Sequence, residues 1–276
     1  MSVTPTIENV VTEGAEIYCE RRGKGPLLLL IAGAMGDAGF YSSAADKLAS
    51  EFTVVCYDRR CNSRSSGDRT NDMTVAQQAR DAYAIFQAMG TDKAIVFGSS
   101  GGAIIGLELA STRPEVIDFL IAHEPGVIDL IAEPEGDKWS SFHRDIFTKS
   151  QHEGWQAALP AFMASLVNVP NAPYPPDLNA RVEDVLEFFF KHEYMQFIHY
   201  IPDIERIRNN NVNMVVAIGK DSDGAYYVHA SNALVSKLGC EKVEFPGHHD
   251  LSFWMPEEFA NVIRLTLDQH GYEQRN

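Results

Sequence analysis

Short, strongly apolar runs alternate along this chain with stretches whose apolar residues recur every three or four positions. Runs at 27–31, 53–57, 94–97, 119–122, 214–218 and 242–245 read as strands. Residues 7–11 and 16–21 alternate between apolar and polar side chains, which predicts an antiparallel hairpin at a sheet edge. The intervening segments have helical spacing. Thr74 is placed to cap a helix carrying Val75, Ala79, Ala82, Phe86 and Met89 on one face, and Gly90 ends it. A second helix runs from Ser100 to Thr112, before Arg113-Pro114. A last one opens on Pro256-Glu257-Glu258, with a proline and acids in its first turn. The expected architecture is α/β: a mostly parallel, eight-stranded sheet with helices on both faces.

Between Gly126 and Ile207 the alternation stops. The segment is rich in aromatic residues, among them Trp139, Phe162, Phe189, Phe190 and Tyr194, and is interrupted by prolines from Pro170 to Pro176. It reads as a helical insertion, 126–207, capping a core made of 1–125 and 208–276.

Charge narrows the function. The 276 residues carry a formal net charge of -15, which disfavours phosphate backbones and anionic membranes. The opening MSVTPTIENVVTEG lacks the basic and apolar regions of a secretory signal, and no apolar run could span a bilayer. The four cysteines have no metal-ligand spacing. A cytoplasmic monomer or homodimer with reduced thiols is expected, with no nucleic-acid or membrane partner.

The candidate chemistry starts at Gly98-Ser99-Ser100-Gly101-Gly102, a G-x-S-x-G pentapeptide between an apolar strand and a helix. Such a turn strains the serine backbone and admits only small residues two positions either side, so Ser100 is the candidate nucleophile and Ser99 its support. Two backbone N–H groups would hold an oxyanion: Gly101, next in the chain, and Ala34, just past Gly33 in the loop after the 27–31 strand. Of nine histidines, His248 and His249 follow the last strand, at the sheet edge where ligands gather. His249, two residues past Gly247, is the candidate base. Its carboxylate partner has two candidates, Glu124 after the 119–122 strand and Asp221 after the 214–218 strand. Asp58, Arg59 and Arg60 are expected to brace loops. If neither acid is catalytic, each could cap a helix.

Gly98–Gly102, Asp58-Arg59-Arg60, His123-Glu124-Pro125 and Pro246-Gly247-His248-His249 together resemble the serine hydrolases of the α/β-hydrolase family, most of all the zearalenone lactone hydrolase branch. The resemblance implies Glu124 as the triad acid, His249 as the base, and Ala34 and Gly101 as oxyanion donors. Three departures stand out: Ala32 where many members carry histidine, Cys61 and Ser63 in place of loop glycines, and acids at Asp221 and Asp223.

The expectation is a Ser100–His249–Glu124 esterase or lactonase, without metal or organic cofactor, acting on a bulky, largely apolar small molecule of macrolactone or macrolide type. A small-ester carboxylesterase, a cofactor-independent dioxygenase, a carbon–carbon bond hydrolase and a non-enzymatic ligand receptor are the other readings open to the sequence.

Overall fold

A computed structural model describes residues 3–272 of the chain. Eight strands form one sheet: β1 (Thr6–Thr12), β2 (Ala15–Arg22), β3 (Leu27–Ile31), β4 (Thr53–Tyr57), β5 (Ala94–Ser99), β6 (Ile117–His123), β7 (Met214–Gly219) and β8 (Glu241–Phe245). Their order across the sheet is β1-β2-β4-β3-β5-β6-β7-β8. β1 and β2 form the expected antiparallel hairpin, with Thr12 opposite Ala15, and β2 also runs antiparallel to β4. From β4 to β8 every pairing is parallel.

The helices are α1 (Ser42–Leu48), α2 (Val75–Ala88), α3 (Gly101–Thr112), α4 (Glu135–Glu153), α5 (Trp155–Ala164), α6 (Pro176–Phe188), α7 (Tyr194–Ile198), α8 (Ile204–Asn210), α9 (Tyr226–Leu238), α10 (Leu251–Trp254) and α11 (Pro256–Gln269). Two of the sequence-predicted helix ends are explained by single residues. The Thr74 hydroxyl accepts the Gln77 N–H at 3.2 Å and starts α2, and Gly90, just past its end, takes the left-handed φ of 66°.

Strand periodicity divides the core. In β3, Leu27, Leu29 and Ile31 face the layer that contains α2, α3 and α9, whereas Leu28 and Leu30 face α1 and α11. All five residues are buried, as a central parallel strand covered on both faces requires. Each such side chain contributes about 1.5–3 kcal/mol through its removal from water.

Helices α4 to α8 lie between β6 and β7. Phe162, Leu186, Phe189, Tyr194 and Phe197 of this insertion belong to the same buried cluster as Leu29 and Val96 of the sheet. The insertion therefore joins the buried cluster that covers one face of the sheet. No helix among the described residues is long and apolar enough to cross a membrane.

Candidate functional site

The turn from β5 into α3 places Ser100 at φ 56° and ψ -121°, a conformation costly for a residue with a Cβ. The surrounding backbone holds it there. Ser100 N–H donates to the His123 carbonyl at 2.9 Å, and its own carbonyl accepts from Ala103 N–H at 3.0 Å. The flanking glycines are dictated by sterics. A Cβ on Gly98 would stand 2.2 Å from the Gly102 carbonyl oxygen, and one on Gly102 would stand 2.0 Å from the oxygen of Ile31. The Ser100 side chain makes no capping bond to α3. Ser99 instead pairs with His123, Oγ to Nδ1 at 3.0 Å, as a support.

Across the sheet edge, the loop after β8 bends at Gly247 (φ 75°) and delivers His249. His249 Nδ1 lies 2.6 Å from Glu124 Oε2, while Glu124 Oε1 accepts the Gly219 N–H at 2.8 Å. Glu124 is fully buried at the end of β6, with its own N–H on the Ala217 carbonyl. The Tyr227 ring lies against the imidazole, centroids 4.2 Å apart. Held through Nδ1, the imidazole has Nε2 left for proton transfer.

Burial acts to raise the Glu124 pKa, but the neighbouring imidazoles of His123 and His249 overcome it and hold the carboxyl at about 2. For His249 burial acts downward, and the Glu124 hydrogen bond and charge, with Asp250 nearby, carry its pKa above the usual histidine value. For His123 burial outweighs the raising charge of Glu124 and depresses the imidazole to about 4, so it is neutral at pH 7. Its Nε2 is 3.9 Å from Glu124 Oε2, too far for a hydrogen bond.

Asp221 is exposed and makes no hydrogen bond to His249. Its backbone N–H donates to Gly247 and its carbonyl accepts from Asn168 Nδ2. Nor does it cap α9, which begins after Ala225 without a side-chain cap. His248 stands apart from His249, its Nδ1 accepting the Asp250 N–H at 3.2 Å.

Gly33 passes so close to Ser100 that a Cβ there would lie 2.9 Å from the serine Cβ. Just beyond, Ala34, Gly101 and Ser100 line a cavity of about 20 Å³. Gly101 is the first residue of α3, where an N–H has no acceptor within the helix. Ser100 and His249 also line a larger cavity of about 240 Å³. The insertion closes it with Leu159, Phe162, Met163, Leu166, Val182 and Leu186, and the core adds Met35, Phe40 and Phe253. Asp250, Ser252 and Asn171 are among its few polar walls.

Two features escape the motif reading. Cys61 and Ser63, where glycines are common in the resembling family, take left-handed φ values of 63° and 49°. And Arg59, expected only to brace a loop, reaches the Gly33 carbonyl and Glu193.

A family model described as alpha/beta hydrolase fold matches residues 26–256. The chain is 30% identical over 261 residues to the uncharacterized hydrolase YraK of Bacillus subtilis (strain 168), covering 93% of this chain and 94% of that protein. It is 29% identical over 209 residues to the putative carbamate hydrolase RutD of Azorhizobium caulinodans, covering 75% of this chain and 71% of that one. Among solved structures, a thermophilic esterase from Thermogutta terrifontis superposes with a TM-score of 0.75 at 17% identity, covering 96% of this chain and 98% of the esterase.

Proposed function

Because the chain belongs to the alpha/beta hydrolase family, we propose that it is a serine hydrolase cleaving an ester or lactone through a Ser100–His249–Glu124 triad. The observation that carries this reading is the buried 2.6 Å contact between His249 Nδ1 and Glu124 Oε2, in a site whose serine sits on a strained strand-to-helix turn.

In this reading His249 Nε2 takes the Ser100 proton as the hydroxyl oxygen attacks the carbonyl carbon. The carbonyl oxygen becomes an oxyanion held by the Ala34 and Gly101 N–H groups; each such donor is worth about 3–4 kcal/mol where one has been removed elsewhere. Collapse of the tetrahedral species breaks the bond to the alcohol, which leaves with the proton from His249. Water then attacks the acyl-enzyme, His249 takes a proton from it, and the acid departs while Ser100 regains its hydrogen. Glu124 stays ionised throughout, fixing the imidazole tautomer and balancing its charge.

The mostly apolar cavity favours a hydrophobic acyl group, and the insertion 126–207 serves as its cap. At about 240 Å³ the cavity lies just below the ~300–1,000 Å³ usual for ligand pockets. A compact ester or lactone therefore fits it better than a macrolide-sized ring, which would need the cap to open. Macrolactones keep their place in the test because of the resemblance to the zearalenone lactone hydrolases.

Wild type and Ser100→Ala should be assayed on p-nitrophenyl esters of graded chain length and on a lactone panel, with intact mass after a fluorophosphonate probe. Turnover lost in the variant, and one adduct on wild type alone, are expected. A folded wild type with neither adduct nor turnover rejects the reading, and oxygen uptake would then be the next assay.

A further inference from the structure

The three charged residues after β4 go to three different places. Asp58 accepts from the Ala38 N–H and from Arg64, and Arg60 pairs with Asp81 of α2. Both tie loops together. Arg59 turns into the protein and is 1% exposed.

The Arg59 guanidinium bridges parts of the chain far apart in sequence. Nη2 donates to the Gly33 carbonyl at 2.9 Å, and Nε reaches the same oxygen at 3.2 Å. Nη2 also meets Glu193 Oε2 at 2.9 Å, and Nη1 meets Glu193 Oε1 and Gln78 Oε1. Glu193 is wholly buried at the end of a π-helical turn, Phe189–Glu193, between α6 and α7. The guanidinium carbon lies 5.4 Å from the Phe197 ring centroid, and that ring packs on Gly101, where a Cβ would be 3.0 Å from it. One cation thus touches the Gly33 carbonyl directly and the Gly101 surroundings through a single ring.

The Gly33–Ala34 peptide bond is trans, the only cis bond among the described residues being Glu133–Pro134. In a trans peptide the carbonyl and the following N–H point in opposite directions. A cation clamped on the Gly33 oxygen therefore fixes the Ala34 N–H on the far side. Ala34 lines the 20 Å³ cavity there with Ser100 and Gly101, and its N–H meets no acceptor among the described residues. Binding at the carbonyl also polarises the peptide and strengthens its N–H as a donor.

We propose that Arg59 is a positioning residue for the oxyanion site, aiming the Ala34 N–H at the developing charge, and that Glu193 makes this aim depend on the docked insertion. The inference rests on Ser100 being the nucleophile. A purely structural Arg59, tying insertion to core, would leave the chemistry unchanged once the protein is folded.

Two variants separate these roles. Arg59→Lys keeps a charge near Gly33 but cannot bridge to Glu193 in the bidentate manner. The double variant Arg59→Met with Glu193→Gln removes both charges together, so no buried ion is left unpaired. After thermal unfolding confirms a folded state, kcat and KM are measured on a p-nitrophenyl ester and on its thiono analogue, whose sulfur accepts hydrogen bonds poorly. Exchange of the Ala34 amide is followed alongside.

The double variant is expected to lose roughly 10- to 100-fold in kcat, short of the 10²–10³-fold for a deleted donor, with KM within about threefold. Its preference for oxygen over sulfur should shrink, the Ala34 amide should exchange faster, and Arg59→Lys should fall between. A folded variant with wild-type kcat, oxygen preference and Ala34 exchange overturns the proposal. If the double variant does not fold, Arg59→Lys decides by the same three readouts. If wild type shows no Ser100-dependent turnover, the hydrolase reading falls, and unchanged Ala34 exchange in the variants would also remove the aiming role of Arg59.

Discussion

His249 and Glu124, 125 residues apart in the chain, meet at 2.6 Å with the carboxylate fully buried, and the second carboxylate oxygen of Glu124 is taken by the Gly219 N–H. With both oxygens engaged, the carboxylate cannot swing away from the imidazole. Glu124→Gln leaves the shape intact but offers Nδ1 the wrong partner, and kcat is expected to fall by roughly 1,000- to 10,000-fold. Asp221→Asn, in an exposed loop, should stay within about twofold of wild type. Steady-state kinetics on one p-nitrophenyl ester would compare them, and the opposite ranking would move the acid to β7.

How much of this was legible in the sequence depended on how local each constraint was. The turn at Ser100 was readable because the clash that demands Gly98 and Gly102 involves backbone within a few residues and the end of the adjacent β3. The Thr74 cap and the buried β3 were equally local. The choice between Glu124 and Asp221 was not, since both follow adjacent parallel strands and only the path of the β8–α10 loop decides which one His249 meets. The Arg59–Glu193 pair was illegible for the same reason: 134 residues separate them, and a lone acid among Phe189, Phe190 and Tyr194 gives no sign of its partner.

The pH profile follows from the charges around His249. In the proposed mechanism the imidazole must be neutral to accept the Ser100 proton, so the rate should fall as pH drops through its pKa. Burial alone would move that limb down, but Glu124 and Asp250 together move it up, above the ~6.5 of a free histidine. Among the other titratable neighbours, His123, held near 4, adds no charge at neutral pH, burial also shifts His248 downward, and burial pushes the Tyr227 hydroxyl up. Asp250→Asn removes one of the two raising charges and should displace the acid limb of kcat to lower pH. A limb that stays in place or rises would mean that Asp250 does not act on His249.

Backbone sterics make a separate prediction about stability. Gly102→Ala puts a Cβ 2.0 Å from the Ile31 oxygen, with no flexible side chain to give way, and should cost about 3 kcal/mol or more. Gly90→Ala meets the opposite situation, a left-handed φ of 66° with nothing within 4 Å of the new Cβ. It should cost only about 1–2 kcal/mol. Urea unfolding of the two variants tests the difference, and equal losses would show that the close approach at Gly102 costs no more than the left-handed φ at Gly90.

Selectivity for acyl length should respond to the insertion. Leu186→Trp fills part of the cavity beside Ser100, whereas Leu159→Ala extends it. Because one methylene in a hydrophobic pocket is worth about 1–3 kcal/mol, kcat/KM ratios between short and long esters should move by roughly tenfold or more, in opposite directions for the two variants. Ratios that move together would place the acyl chain elsewhere.

The single buried cluster that holds Phe162, Tyr194 and Phe197 together with Leu29 and Val96 has a bearing on protein engineering. The stretch between β6 and β7 cannot be exchanged with that of a homologue as a detachable module, because the transplant would remove part of the buried cluster that covers the sheet. A viable chimera must carry over the counterparts of those aromatic contacts, together with the Arg59–Glu193 pair. Calorimetry of the intact protein should accordingly record one heat-absorption peak, with lid and base melting together.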